Sequence, residues 1–269
     1  MIIDFHTHIF PEKIAARTIS ALALAGGFTP YSDGTAAGLL SEMKKGGADL
    51  SVAHPVMTSP TQFDSITRFA ASVNEAYRSG EGKIISFAGI HPRCEDIEGK
   101  MRFIKESGFP GVKIHPDYQD AYITDEGYVR IMECAREYDL IVITHAGVDA
   151  GYRDKPVRCP PKLALELIKK VPHKKFVLAH LGANEMTEQM LDILAGEDVY
   201  IDTAVALNDV DEETFKRIVA RHGEDKILFA TDSPWGSIEA DAKRLRSFSL
   251  GKDAENKIFY KNARALIGL

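Results

Sequence analysis

Short apolar runs alternate with longer amphipathic stretches along almost the whole chain. The runs at 2–6, 50–53, 84–90, 111–115, 140–145, 175–180, 199–203 and 227–231 predict eight β-strands. Stretches at 36–45, 62–78, 98–106, 126–138, 162–170, 185–194, 212–221 and 239–248 carry the helical period and predict the helices between and after them. In the second stretch Phe63, Ile66, Phe69, Ala70, Val73 and Tyr77 fall close to one helical face, with Arg68 and Asn74 among the polar positions, which predicts a buried stripe. Ile141-Val142-Ile143 and Phe176-Val177-Leu178 are apolar at every position, as parallel strands covered on both faces are. Basic residues running into glycine, at Lys44-Lys45-Gly46-Gly47 and Arg78-Ser79-Gly80, mark expected helix ends.

Eight strand–helix units fit an α/β fold of the closed (β/α)8 TIM-barrel type better than an open doubly wound sheet. The open sheet usually has fewer strands and a glycine-rich phosphate loop, and no Gly-x-Gly-x-x-Gly or Walker sequence occurs. With no linker rich in Pro, Gly or Ser, residues 1–269 are expected to form a single domain, and the amphipathic segment at 255–267 to pack across the barrel as a C-terminal helix. A formal net charge of -6 argues against a broad nucleic-acid footprint, which needs basic patches. No apolar run approaches the ~18 residues of a membrane span, and no leader pattern precedes the first strand, so the cytoplasm is the expected location. Cys94, Cys134 and Cys159 include no Cys-x-x-Cys pair, so reduced thiols are expected rather than a disulfide framework or zinc ribbon.

The candidate chemistry sits at strand ends. His6-Thr7-His8 closes the first strand, and His91, His115, His145, His180 and Asp232 stand at or just beyond later ones. Side chains alternate along a strand, so His6 and His8 are expected to share a face, as are Lys113 and His115. Barrels of this type carry their chemistry at the carboxyl ends of the strands, so inward-pointing groups there converge. Imidazoles and a carboxylate suit zinc or another borderline divalent metal, and an open coordination position would make the site catalytic. Asp232 is then expected to bind metal and relay a proton, and His180 to orient water or stabilise an oxyanion. Lys113 has two readings: a buried lysine paired with an inward carboxylate such as Asp4, or a group that meets substrate. His91, Arg93 and Arg153 are candidates for binding a substrate carboxylate, surface charge being the plainer reading of the arginines. His54 ends the second strand, Trp235 is a candidate pocket wall, and His173 and His222 are expected to be solvated.

These motifs resemble the amidohydrolase superfamily, in the amidohydrolase-related branch that includes aminocarboxymuconate-semialdehyde decarboxylase-like proteins. The resemblance spans essentially the whole chain. It rests on His6-Thr7-His8, Gly111-Val112-Lys113-Ile114-His115-Pro116, Thr144-His145-Ala146-Gly147, Ala179-His180-Leu181-Gly182 and Thr231-Asp232-Ser233-Pro234 in that order. It implies His6, His8, His145 and Asp232 as ligands of one metal, most simply zinc, with His180 as the adjacent catalytic group. In binuclear relatives a strand-4 lysine is carbamylated between two metals; here His115 stands beyond Lys113 on the same face and is a candidate, with His180, for a second metal. The leading expectation is hydrolysis of a small amide, lactone or ester by metal-activated water. The alternative is metal-dependent decarboxylation of a small unsaturated or aromatic acid. Either way the partner is a small molecule, with a carboxylated one in view, and neither nucleic acid nor membrane is expected; a homo-oligomer is compatible with the sequence.

Overall fold

The apolar runs become parallel strands hydrogen-bonded in chain order. In the computed structural model, which describes residues 1–77 and 82–269, β1 (Ile3–Thr7), β2 (Leu50–Ala53) and β3 (Lys83–Ser86) form one ladder. A second ladder holds β4 (Ala88–Gly89), β5 (Gly111–Ile114), β6 (Ile141–Thr144), β7 (Phe176–Leu178), β8 (Tyr200–Asp202) and β9 (Ile227–Leu228). Around them lie α1 (Glu12–Gly26), α2 (Ala36–Gly46), α3 (Phe63–Tyr77), α4 (Ile97–Glu106), α5 (Glu126–Glu137), α6 (Pro161–Lys170), α7 (Thr187–Ile193), α8 (Glu212–His222) and α9 (Ile238–Ser247). The chain ends in α10 (Lys252–Asn256), a π-helical turn at Lys257–Lys261 and α11 (Asn262–Ile267).

β3 and β4 are two halves of the strand predicted at 84–90. Phe87 N–H still donates to Ala53 O at 2.9 Å before Ala88 pairs with Val112. Beside the break, the Asn74 side chain accepts from Ser86 N–H at 2.7 Å and donates to Ser86 O at 3.0 Å, so these buried backbone groups keep partners. The last strand returns to the first: Phe5 N–H donates to Phe229 O at 2.9 Å, and Asp232 N–H to His6 O at 2.8 Å. Eight parallel strands therefore close a single (β/α)8 TIM barrel, the expected fold.

Two apolar layers hold it. Alternate strand residues such as Phe5, Val52, Phe87, Ile143, Val177 and Leu228 fill the barrel, joined by Ala263 and Leu266 of α11. Their neighbours, including Val112, Val142, Phe176 and Phe229, face outward against Met101, Ile131, Leu167, Ile218 and Leu245 of the helices. The C-terminal segment thus packs across the barrel as expected. Gly47, at φ 72°, ends α2 where the basic-glycine signal placed it. The stop expected at Arg78-Ser79-Gly80 lies outside the described residues.

One helix was not legible in the sequence. α1 is rich in alanine, a strong helix former, but buries only Ala15 and Ile19, too thin a stripe to show as a helical period. It rests against the short turn Ala150–Tyr152 near the mouth of the barrel. Among the described residues no helix is long and apolar enough to cross a membrane.

Candidate functional site

The strand ends reach the site through irregular backbone. Ile3 and Phe5 belong to the layer inside the barrel, so strict alternation would carry Thr7 inward and His6 out. The register against β2 slips between Asp4 and Thr7. This bulge re-aims the strand, and beyond it His6 Nε2 and His8 Nε2 lie 3.2 Å apart. His180 and Asp232 stand in the left-handed region at φ 59° and 63°, a conformation costing of order 1–3 kcal/mol for a non-glycine residue. The shared face of His6 and His8 follows from alternation, as expected, and the bulge turns that face toward the barrel interior.

Second partners orient the rings. His6 Nδ1–H donates to the Asp202 carboxylate at 2.9 Å, His8 Nδ1–H to His54 O at 2.7 Å and His180 Nδ1–H to Ala204 O at 3.0 Å. A backbone carbonyl only accepts, so neutral His8 and His180 present unprotonated Nε2 atoms to the site. Asp232 Oδ1 lies 3.0 Å from His8 Nε2 and 3.4 Å from His6 Nε2, is buried, and makes no hydrogen bond. Three acceptors this close repel one another unless a cation stands between them. Metal–ligand bonds of about 2.0–2.2 Å imply ligand–ligand edges of about 2.8–3.6 Å in tetrahedral or octahedral coordination, and the three edges here fall in that range. His6, His8 and Asp232 therefore fit a divalent metal.

His145, the fourth expected ligand, sits in an adjoining group. Its Nδ1 lies 2.9 Å from His180 Nε2, and its Nε2 faces Asp117 Oδ2 at 4.0 Å, both atoms being buried and otherwise unpaired. His115 Nε2 lies 3.3 Å from Asp149 Oδ2. The atoms of His115, His145 and Asp149 are near enough together for an ion, but the His115 and His145 rings stack at 4.5 Å with planes 10° apart. An ion in the plane of one ring lies off the plane of the other, so these two imidazoles are not oriented to share one. The His145–His180 pair, tilted by 58°, is the better aimed of the two.

Burial dominates the electrostatics. It pushes His6, His54, His115 and His145 well below the ordinary imidazole range, and Lys113 adds to this in each case. All four are thus neutral. Burial also lowers Lys113 to about 8, against the pull of Asp232, Asp202 and Asp149. For Asp232, burial works to raise the carboxyl, but His8, His180 and Lys113 outweigh it and hold it below its usual value. Lys113 Nζ meets His6 Nε2 at 2.8 Å, not Asp4. Asp4 instead accepts Thr231 N–H at 3.0 Å and Thr231 Oγ1–H at 2.6 Å, which corrects the expected pairing.

These groups form one end of a cavity of about 530 Å³ whose walls include Phe10, Ile66, Phe69 and Trp235. Lys113 is the single Lys or Arg among the described residues lining it. Arg93 and Arg153, candidates for a substrate carboxylate, lie outside the lining. Their side chains are 57% and 58% exposed and occupied with Asp120 and Glu185. His91 is buried but also outside the lining, its Nδ1 accepting Arg93 N–H at 3.1 Å. His222 is buried and bonded to Val199 O, and His173 is half-buried and bonded to Leu140 O, so neither is solvated as expected. His54 lines the cavity and donates through Nε2 to Phe5 O at 2.7 Å. Asp202, Asp117 and Asp149 went unrecognised. Asp202 ends its strand, so the rule that found Asp232 applied to it equally; the other two lie in loops, where only the fold shows which imidazole they face.

The chain matches the amidohydrolase family over residues 3–269 and belongs to it. It is an enzyme of the amidohydrolase superfamily. A putative amidohydrolase from Staphylococcus aureus superposes with a TM-score of 0.73 at 19% identity, over 100% of this chain and 99% of that one. A 5-carboxyvanillate decarboxylase from Novosphingobium aromaticivorans, solved with bound manganese, gives 0.74 at 14% identity over 100% and 97%. A dihydroxybenzoic acid decarboxylase from Polaromonas, solved with manganese and 2-nitroresorcinol, gives 0.71 at 18% over 100% and 97%.

Proposed function

We propose that this protein is a metal-dependent decarboxylase of a small aromatic or unsaturated acid. The observation that carries the reading is the pairing, in one cavity, of aromatic and aliphatic walls with a floor holding the His6–His8–Asp232 cluster and Lys113. The walls suit an apolar ring, and the floor suits its acid group. The structurally similar proteins solved with manganese, described as decarboxylases of ring acids, support decarboxylation over the hydrolysis favoured from sequence.

In this reading His6, His8 and Asp232 hold a divalent ion, manganese or zinc, with His145 close by. The ion would supply positive charge that draws electrons from the ring as carbon dioxide departs. Lys113 orients the acid group. The bond between ring carbon and carboxylate breaks, its electron pair stays on the ring carbon, and one proton must arrive there. His180 relays it: with Nδ1–H anchored on Ala204 O, its Nε2, 2.9 Å from His145 Nδ1, takes a proton from water entering the cavity and passes it to the ring carbon. Asp232, beside the same ion, offers a second station for the proton.

The test follows carbon and oxygen with manganese-loaded protein and hydroxybenzoates in ¹⁸O-water. Carbon dioxide released one for one with the decarboxylated ring, and no solvent oxygen in that product, is expected. Hydroxybenzoates left intact, with solvent oxygen instead incorporated into the acid formed from an aromatic ester or lactone given to the same protein, would overturn the proposal and restore hydrolysis.

A further inference from the structure

The cavity is larger than a ring acid needs, and the excess is apolar. At about 30 Å³ for each water-sized group, 530 Å³ has room for roughly eighteen such groups, whereas a hydroxybenzoate has about ten non-hydrogen atoms. The charged lining residues, Lys113, Asp149 and Asp232, all follow or end barrel strands at the floor. Away from them the lining comes from α1 and α3, which contribute Ile14 and Leu22 and Ile66 and Phe69 respectively, together with Phe10 and Phe28.

The polar residues on this outer wall are few and uncharged: Thr18, Thr58, Gln62 and Ser65. Gln62 Oε1 accepts from Thr58 N–H at 2.8 Å and Ser59 N–H at 3.1 Å, and Ser65 Oγ–H donates to Gln62 O at 3.0 Å. The groups left to meet a ligand there are neutral ones, the Gln62 side-chain N–H groups and the Thr18 hydroxyl. No charged side chain lines this outer part among the described residues. An acid group finds no cationic partner there among the described residues, while a hydrocarbon removes apolar wall from water at no electrostatic cost.

The geometry points to an amphiphilic substrate, with an acid-bearing ring at the metal floor and an alkyl or alkenyl chain of several carbons lying between α1 and α3. The identity of the head rests on the decarboxylase reading; the tail rests on the cavity alone. Helix α1 then acts as a specificity element. It buries little of its own surface in the protein core, so a tail lying against Ile14 and Leu22 supplies apolar contact that the helix otherwise lacks.

The probes are hydroxybenzoates carrying n-alkyl groups of one to six carbons at a single ring position, one series per position, and the matching alkylphenols. Binding to manganese-loaded protein is read from Trp235, the sole tryptophan, which lines the cavity. In at least one series Kd should fall about fourfold per added methylene over the first members and then level off as the channel fills. In Leu22→Asn and Ile66→Asn proteins, that gain per methylene should drop by half or more. A Kd that is flat or rises with chain length in every series overturns the inference, and it needs only the wild-type protein. Chain-length-dependent binding without carbon dioxide from any acid supports the channel while overturning the decarboxylase reading. Carbon dioxide from the parent acids with chain-length-independent Kd does the reverse.

Discussion

The two ends of this barrel use the same strands for opposite purposes. At one end the interior is apolar and plugged, with Ile3, Leu50 and Leu228 meeting Ala263 and Leu266 of α11. At the other, within a few residues along the same strands, the interior turns to imidazoles, carboxylates and one lysine. There the backbone departs from regularity at the β1 bulge, at His180 and at Asp232. The plugged end gains free energy by removing apolar surface from water. The open end gives some back, holding three acceptors in contact and two side chains on left-handed backbone. The difference teaches that the regular half of each strand supports the unfavourable geometry of its last residues.

That contrast can be broken from either side. The largest effect is expected from joint His6→Ala and His8→Ala substitution, which should abolish stoichiometric metal and lower turnover by on the order of 10³ or more. The metal-free Tm should move little; elemental analysis and thermal melts check the two halves. At the plugged end Leu266→Ala should cost about 2–5 kcal/mol of stability, measured by urea unfolding, with metal content at 20 °C unchanged. Loss of metal in that variant would show that the ends are not separable. Asp202→Asn removes the carboxylate that fixes His6 and should weaken metal affinity by about 10–100-fold, read by competition with a chelator.

A further test concerns a buried carboxyl outside the metal cluster. Burial raises Asp241, in the first turn of α9, to about 7, against the hydrogen bond from Asn208. The folded protein therefore binds this proton more tightly than the unfolded chain does. Its contribution is fully present below about pH 4 and is lost as pH rises through about 7, at up to about 1.4 kcal/mol per pH unit. In Asp241→Asn the fall of stability between pH 4 and 8 should become shallower, Asp4 and Asp117, also raised by burial, supplying the remainder; an unchanged slope would assign it elsewhere.

Much of this was readable before folding. Runs such as Ile141-Val142-Ile143 and Phe176-Val177-Leu178 became β6 and β7 because a strand buried on both faces needs apolar residues at every position, a local property. The polar residue ending each run marked the chemical end of the barrel for the same reason. Arg93 and Arg153 misled because a loop at the active end can turn its charges to solvent, where Asp120 and Glu185 take them up. Helix α1 was missed because it has little core to face.

The sequence by itself determined the eight-stranded barrel, the family, and most of the strand-end groups gathered at the cavity floor, Asp202 excepted, since all three depend on periodicity and residue order. Only the tertiary structure decided the finer pairings: His6 with Asp202, His145 with His180, Lys113 with His6 rather than Asp4. Those pairings join residues up to 196 positions apart, as His6 and Asp202 are. They depend on a bulge, two left-handed residues and the closure of the last strand on the first. No local pattern encodes such geometry, because its energy comes from contacts that exist only once the barrel has closed.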